Sequence, residues 1–121
     1  MPTPGPRPVT KGQDPVVRTR LTMGYEGGMH ARPASVLARR AQEFRSDISL
    51  VLVSCPVEIS TSPGTRADAK SMLDLIFLQV PCGSELDLEA SGPDAQAAVE
   101  AIEGLFRDRF QFPAMRAGRY E

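Results

Sequence analysis

The residues best suited to chemistry lie within positions 27–34, which hold the single histidine of the chain, His30, and a nearby arginine, Arg32. Two consecutive glycines precede them, and glycine permits backbone angles that other residues avoid. A helical pattern starts immediately after the histidine, and Pro33 fits its first turn because amides there have no intrahelical acceptor. The spacing therefore predicts His30 at or next to the N-cap of a helix.

The start of a helix is suited to bind an anion, because its free amides and the positive end of the helix dipole point outward. Arg32 adds a guanidinium fork that matches phosphate oxygens. Histidine is partly neutral near pH 7 and is therefore nucleophilic. Together these features favour a phosphoryl group carried on His30. The alternative is that His30 is an ordinary cap or surface residue.

Residues 28–34 read Gly-Met-His-Ala-Arg-Pro-Ala and closely resemble the active-site motif of the HPr family, the histidine-containing phosphocarriers of the bacterial phosphoenolpyruvate-dependent sugar phosphotransferase system. Residues 69–73, Ala-Lys-Ser-Met-Leu, resemble the regulatory serine segment of that family. Residues 91–95 resemble the start of its last helix. Because three motifs occur in the family's order between about residues 16 and 107, the resemblance is specific.

The resemblance implies that His30 accepts a phosphoryl group at Nδ1 from the phosphohistidine of enzyme I, which takes it from phosphoenolpyruvate. His30 would then pass the group to a histidine of an enzyme IIA component, in sugar uptake or its regulation. Arg32 would stabilise the phosphoryl group. Such a carrier is a stoichiometric intermediate rather than a free-standing enzyme, and the resemblance implies no metal and no other cofactor.

Ser71 has two interpretations. Serine is a favoured N-cap, so Ser71 can simply begin the helix that runs to residue 78. By resemblance, it also matches the serine that HPr kinase/phosphorylase phosphorylates in many bacteria, and a phosphate there would add negative charge at a helix start. A regulatory binding protein switched at Ser71 is therefore the alternative function.

The resemblance also predicts a partner-binding surface on two helices. Basic residues on the first helix of HPr proteins meet acidic partners, which implicates Arg39. An exposed apolar cluster suits several partners, and methionine adapts to them. Asp74 brings an acidic group into this cluster. The implicated apolar residues are Met72, Leu73 and Ile76.

The patterning predicts an α+β fold with the element order strand, helix, strand, strand, helix, strand, helix. Alternating or β-branched residues predict strands at 16–23, 48–53, 66–69 and 85–90. Apolar stripes predict the helices, with Pro93 at the first position of the last one. The resemblance makes this an HPr-like open-faced β-sandwich, with a four-stranded antiparallel sheet and three helices on one face. Residues 54–65 form an insertion, either a lengthened hairpin or a loop.

The domain is expected to span residues 16–107. Residues 1–15 carry five prolines and are expected to form a flexible extension, and residues 108–121 a frayed C-terminal extension unless their aromatics pack back. A net charge of −1 gives no reason to expect nucleic acid or a membrane as partner. The start lacks a signal peptide pattern, so we expect a cytoplasmic protein, predicted to be a monomer. Cys55 and Cys82 lack metal-ligand spacing and are expected to be free thiols.

Overall fold

The computed structural model describes residues 16–110, and the predicted order of elements is confirmed within that range. The strands alternate with helices in the order expected for an α+β domain. The elements are β1 (Val16–Thr22), α1 (Ala31–Ala41), β2 (Asp47–Ser54), β3 (Arg66–Asp68), α2 (Met72–Leu78), β4 (Glu85–Ser91) and α3 (Ala95–Arg107).

The strands form one antiparallel sheet in the order β1-β4-β2-β3, with β4 and β2 in the centre. Leu88 of β4 lies opposite Thr19 of β1 on one side and Leu50 of β2 on the other. Residues alternate between buried and less buried along β2, because successive side chains point to opposite faces of a strand. The period of two in the burial of β2 therefore reports one buried face.

The three helices cover that face and close a single core. Leu37 of α1, Leu75 of α2 and Ile102 of α3 are fully buried, together with the inward leucines of the sheet. Burying each such side chain contributes about 1.5–3 kcal/mol relative to leaving it exposed. The predicted four-stranded sheet with three helices on one face is therefore the observed fold.

The opposite face of the sheet carries cross-strand ion pairs. Arg18 and Arg66 both bind the Glu89 carboxylate, at 2.9 and 2.7 Å, and Arg20 binds Asp87 at 2.6 Å. Partial burial acts to raise the pKa of Glu89, but the hydrogen bonds and charges of Arg66 and Arg18 outweigh it and hold that pKa below its ordinary value. This face is polar, so it is the helical side that supplies the core.

Residues 55–65 form a loop and not a longer hairpin, since β2 ends at Ser54 and β3 has only three residues. The base of the loop is closed by two backbone hydrogen bonds: Leu52 donates to Thr65 at 2.9 Å, and Gly64 donates to Leu52 at 2.7 Å. Val57 is exposed, whereas Ile59 packs partly against the core. The insertion is thus a surface loop held by its ends and by the side chains of Cys55 and Ile59.

The start of α3 corrects one expectation. The helix begins at Ala95 with Asp94 as its N-cap, so Pro93 lies before the helix and not at its first position. The Asp94 carboxylate makes no capping bond within its own helix. It instead accepts hydrogen bonds from the Arg45 amide at 2.9 Å, the Ser46 amide at 2.9 Å and the Ser46 hydroxyl at 2.6 Å. This contact across 48 residues sets where α3 starts.

Asp94→Asn should lower the stability of the domain at neutral pH. The hydrogen bonds from Ser46 and the Arg45 amide hold the pKa of Asp94 below its ordinary value of 3.8. Because the folded pKa is depressed, the stabilisation is present above the ordinary value and is lost as pH falls through the folded one. Urea unfolding of the wild type and of Asp94→Asn across this pH range should show a difference in unfolding free energy that decreases as the pH falls. A difference that stays constant would contradict the role of the Asp94 charge.

Two further features bear on function. Cys55 and Cys82 are both free thiols, as predicted. Between residues 16 and 110, no helix combines the length and the apolar character needed to span a membrane.

Candidate functional site

His30 is the N-cap residue of α1, as its sequence position predicts. Its backbone is extended (φ −124°, ψ −158°), and its carbonyl accepts the Ala34 amide at 2.9 Å. Its side chain makes no capping hydrogen bond and is exposed. The imidazole is therefore presented at the positive end of the helix without being used to cap it.

A glycine turn delivers the histidine to this position. Gly28 has φ +76°, and a Cβ there would lie 2.5 Å from the carbonyl oxygen of Val80. The close approach lets the next amide, that of Met29, donate to the same oxygen at 2.7 Å. The Met29 side chain is buried in the core. The loop that carries His30 is thus fixed to the segment after α2, and only glycine fits at position 28.

The imidazole ring has a defined orientation. Its Nε2 lies against Gly27, where a Cβ would overlap that atom, and the ring carbons Cε1 and Cδ2 flank the contact. Nδ1 is therefore the ring nitrogen on the edge away from Gly27. Tyr25 meets the ring edge-on, with centroids 5.9 Å apart and an interplanar angle of 69°.

A cleft of about 490 Å³ opens beside this imidazole. Its wall combines residues of the loop between β1 and α1 with one residue of the turn after α3, which sequence reasoning did not single out. The lining residues are Gly24, Tyr25, Glu26, Gly27, His30 and Arg109. Arg32 is not among them.

The turn after α3 packs back onto the site. Phe110 is 1% exposed, although it lies three residues beyond the expected end of the domain at 107. Its ring stacks edge-on against Phe106 at 4.9 Å and against Tyr25 at 6.3 Å. Phe110 of the C-terminal extension thus packs back on the domain, the alternative to a frayed end. Phe112 and Tyr120 lie outside the described residues. A continuous row of aromatic rings joins the core to His30.

Arg32 lies at the second position of α1 and is exposed. Its carbonyl accepts the Ser35 hydroxyl at 3.0 Å, which supports the first turn of the helix. No acidic residue occurs in that turn. In residues 16–110, no group of three or more potential metal-ligating side chains surrounds this site or any other place. Arg32 and the start of the helix thus place positive charge in the turn that follows His30.

The comparisons with known proteins agree with this geometry. Residues 17–108 match the family described as PTS-HPr, the PTS HPr component phosphorylation site. The chain belongs to the HPr family. It is 39% identical to phosphocarrier protein HPr of Treponema pallidum over 96 residues, which cover 79% of this chain and 97% of the relative. It is 36% identical to phosphocarrier protein NPr of Proteus mirabilis over 91 residues, 75% of this chain and 91% of the relative.

Solved HPr structures share the fold. HPr-C-His from Thermoanaerobacter tengcongensis superposes with a TM-score of 0.65 at 26% identity, covering 78% of this chain and 94% of that one. HPr from Bacillus anthracis gives a TM-score of 0.62 at 27% identity over 75% and 96%. The chain is therefore a phosphocarrier of the HPr/NPr type, a component of the phosphotransferase system.

The HPr resemblance singled out Ser71, which is indeed the N-cap of α2 and is half-buried. Its Oγ accepts the amide of Asp74 at 3.2 Å. The Asp74 carboxylate lies in the same first turn and accepts the Asp68 amide at 3.3 Å. A phosphate on Ser71 would gain from the helix start but would meet the Asp74 carboxylate, and like charges repel. Regulation through Ser71 stays a prediction.

The apolar surface predicted from HPr proteins is exposed, with one addition and one difference. Leu73 and Met72 are 62% and 38% exposed, whereas Ile76 is half-buried against the core. Phe77 is 71% exposed and was not predicted. It follows Leu73 by four residues on the same helix, so helical spacing could have found it.

The two arginines in the last turn of α1 differ in their contacts. Arg39 is exposed in the last turn, and within the described chain it takes part in no ion pair. Arg40 binds Glu43 and lies 5.3 Å from the centre of the Phe44 ring, in the turn beyond α1. Arg39 is therefore the better candidate of the two for contacting a partner.

Proposed function

We propose that this protein is a cytoplasmic carrier that holds a phosphoryl group on Nδ1 of His30, taking it from phospho-enzyme I and passing it to an enzyme IIA component. The observation that carries the proposal is the exposed imidazole at the start of α1. It is not used as a cap, its Nε2 lies against Gly27, and it borders an open cleft.

The transfer is an exchange of one N–P bond for another. The lone pair of the unprotonated Nδ1 of His30 attacks the phosphorus of the phosphohistidine on enzyme I. The N–P bond to that histidine breaks, and its imidazole nitrogen recovers the electron pair. The same exchange with a histidine of the enzyme IIA component discharges His30. No oxidant, metal or further reactant is needed, so the two steps are chemically alike and reversible.

The start of α1 supplies the environment that a bound phosphoryl group requires. The first-turn amides and the helix dipole favour negative charge, and no acidic residue in that turn opposes it. The site is exposed, so these interactions remain partly screened by water. This supports a carrier, because a group held too tightly could not leave again.

Docking partners would meet the exposed side chains around the histidine. Enzyme I and the enzyme IIA component would contact Arg39 on α1 and the apolar residues Met72 and Leu73 on α2. Half-buried Ile76 would contribute a smaller area, and exposed Phe77 extends the same surface.

The proposal is tested by incubating the wild-type protein with labelled phosphoenolpyruvate and enzyme I. We expect label that is lost in acid and retained in alkali, which is characteristic of phosphohistidine, and that maps to the fragment containing His30. The labelled protein should then lose its label to an enzyme IIA component. Absence of label, with an enzyme I that phosphorylates another HPr, would refute the proposal.

Arg32→Glu should slow phosphorylation by enzyme I with little change in stability. Hydrogen bonds to charged groups contribute about 1.5–3 kcal/mol, which corresponds to a rate loss of about tenfold to a hundredfold. The Arg32 side chain is exposed, so folding loses little. The check is the initial rate of labelling beside a thermal unfolding curve.

The matched control for Arg32→Glu is Arg107→Glu, an equal charge change at the exposed end of α3. If both variants slow transfer equally, the effect is one of net charge. An unchanged rate in Arg32→Glu would remove Arg32 from the site.

A further inference from the structure

We infer that Arg109 is a second phosphoryl-binding residue of this carrier, which contacts the oxygens of the phosphoryl group on His30 from the turn after α3. The inference rests on the proposed function and adds a residue to it. Its starting point is the cleft, in which Arg109 and His30 line the same space.

The Arg109 side chain is held along the loop that carries His30. A Cβ on Gly24 would lie 3.5 Å from its Cγ and 3.7 Å from its Nε. Gly24 precedes the turn that leads to the histidine, so the aliphatic part of Arg109 runs beside the backbone of that loop. Arg109 lines the cleft from this position, and its side chain is exposed.

The backbone at Arg109 is in a conformation that favours glycine. Its φ is +54°, and that of Phe110 is +59°. The turn is closed by hydrogen bonds from the Arg109 amide to Phe106 at 3.1 Å and from the Phe110 amide to Leu105 at 2.8 Å. A non-glycine residue in this region is retained only where surrounding structure enforces it, and such positions occur often at functional sites. Buried Phe110 provides that enforcement.

The Arg109 guanidinium suits reversible binding of an anion in the cleft. Between residues 16 and 110, Arg109 takes part in no ion pair, although Glu26 lines the same cleft. A guanidinium presents several N–H donors in a plane and pairs with two phosphate oxygens at once. Arg109 thus places a positive charge in the lining of the cleft. Arg32 is not one of the lining residues.

The test compares two phosphoryl donors. One is enzyme I with phosphoenolpyruvate. The other is potassium phosphoramidate, whose phosphoryl group moves to an imidazole nitrogen as its own N–P bond breaks and ammonia leaves. The small donor needs no protein docking. We expect Arg109→Gln to slow labelling by both donors about tenfold, the loss of one charge-assisted contact, whereas Arg107→Gln leaves both rates unchanged.

Arg109→Gly tests the charge of Arg109 apart from its effect on the fold. Glycine adopts the positive φ without strain, so this variant keeps the turn while it removes the guanidinium. It should be at least as stable as the wild type in thermal unfolding and as slow as Arg109→Gln in labelling. Slow labelling in both variants, with an unfolding midpoint in the glycine variant that is not below that of the wild type, supports a role for the charge.

Two results would overturn the inference while leaving the proposed function intact. One is equal labelling rates for wild type and both Arg109 variants. The other is a loss of rate with enzyme I but not with phosphoramidate, which would make Arg109 a docking residue. If neither donor labels the wild type on His30, the proposed function itself fails and the inference fails with it.

Discussion

His30→Ala should abolish acid-labile phosphorylation by enzyme I completely and leave the fold intact. The chain contains no second histidine, so no other imidazole can take over. The side chain makes no capping hydrogen bond and is exposed, so the change in unfolding free energy should stay within about 0.5 kcal/mol. Labelling with phosphoenolpyruvate and urea unfolding measure the two quantities on the same preparations.

Ser71 provides the internal control for this variant. If HPr kinase phosphorylates the wild type from ATP, it should phosphorylate His30→Ala equally, since Ser71 begins a different helix. Retained labelling from ATP beside lost labelling from enzyme I would show that the variant is folded and still recognised. Acid-labile label that persists in His30→Ala would contradict a phosphohistidine at this position.

The local patterns of the sequence were sufficient for the elements and for the position of the histidine. Alternation over residues 16–23 reflects a sheet with one buried face, and the helical stripes reflect helices packed on one side. The N-caps His30 and Ser71 follow from short-range chemistry, namely a glycine turn before one helix and a favoured capping residue before the other. Such features depend on neighbours within a few residues, which the sequence displays.

The parts that sequence reasoning missed depend on distant contacts. Asp94 is the N-cap of α3, and its carboxylate accepts a hydrogen bond from the Ser46 amide, 48 residues away. Arg109 reaches the cleft because Phe110 is buried against Tyr25. No periodicity signals a single aromatic residue after the end of a helix. The complete wall of the cleft therefore became visible only in three dimensions.

Phe110→Ala should destabilise the domain strongly, by about 3–5 kcal/mol, the range for removing a buried phenylalanine. The ring is 1% exposed and packs against Phe106 and Tyr25, so its loss leaves a cavity at the end of α3. Urea unfolding gives the magnitude. The matched control is Phe77→Ala, the same truncation at a ring that is 71% exposed, which should change stability by less than about 0.5 kcal/mol.

Phe110→Ala should also slow labelling by phosphoramidate, because Phe110 holds the turn that carries Arg109. Residues that act through one contact are not additive. Under conditions where all variants remain folded, Phe110→Ala combined with Arg109→Gln should therefore be no slower than Arg109→Gln alone. If the two rate losses multiply, Phe110 influences His30 by another route. The candidate for that route is Tyr25, which contacts the rings of His30 and Phe110 edge-on.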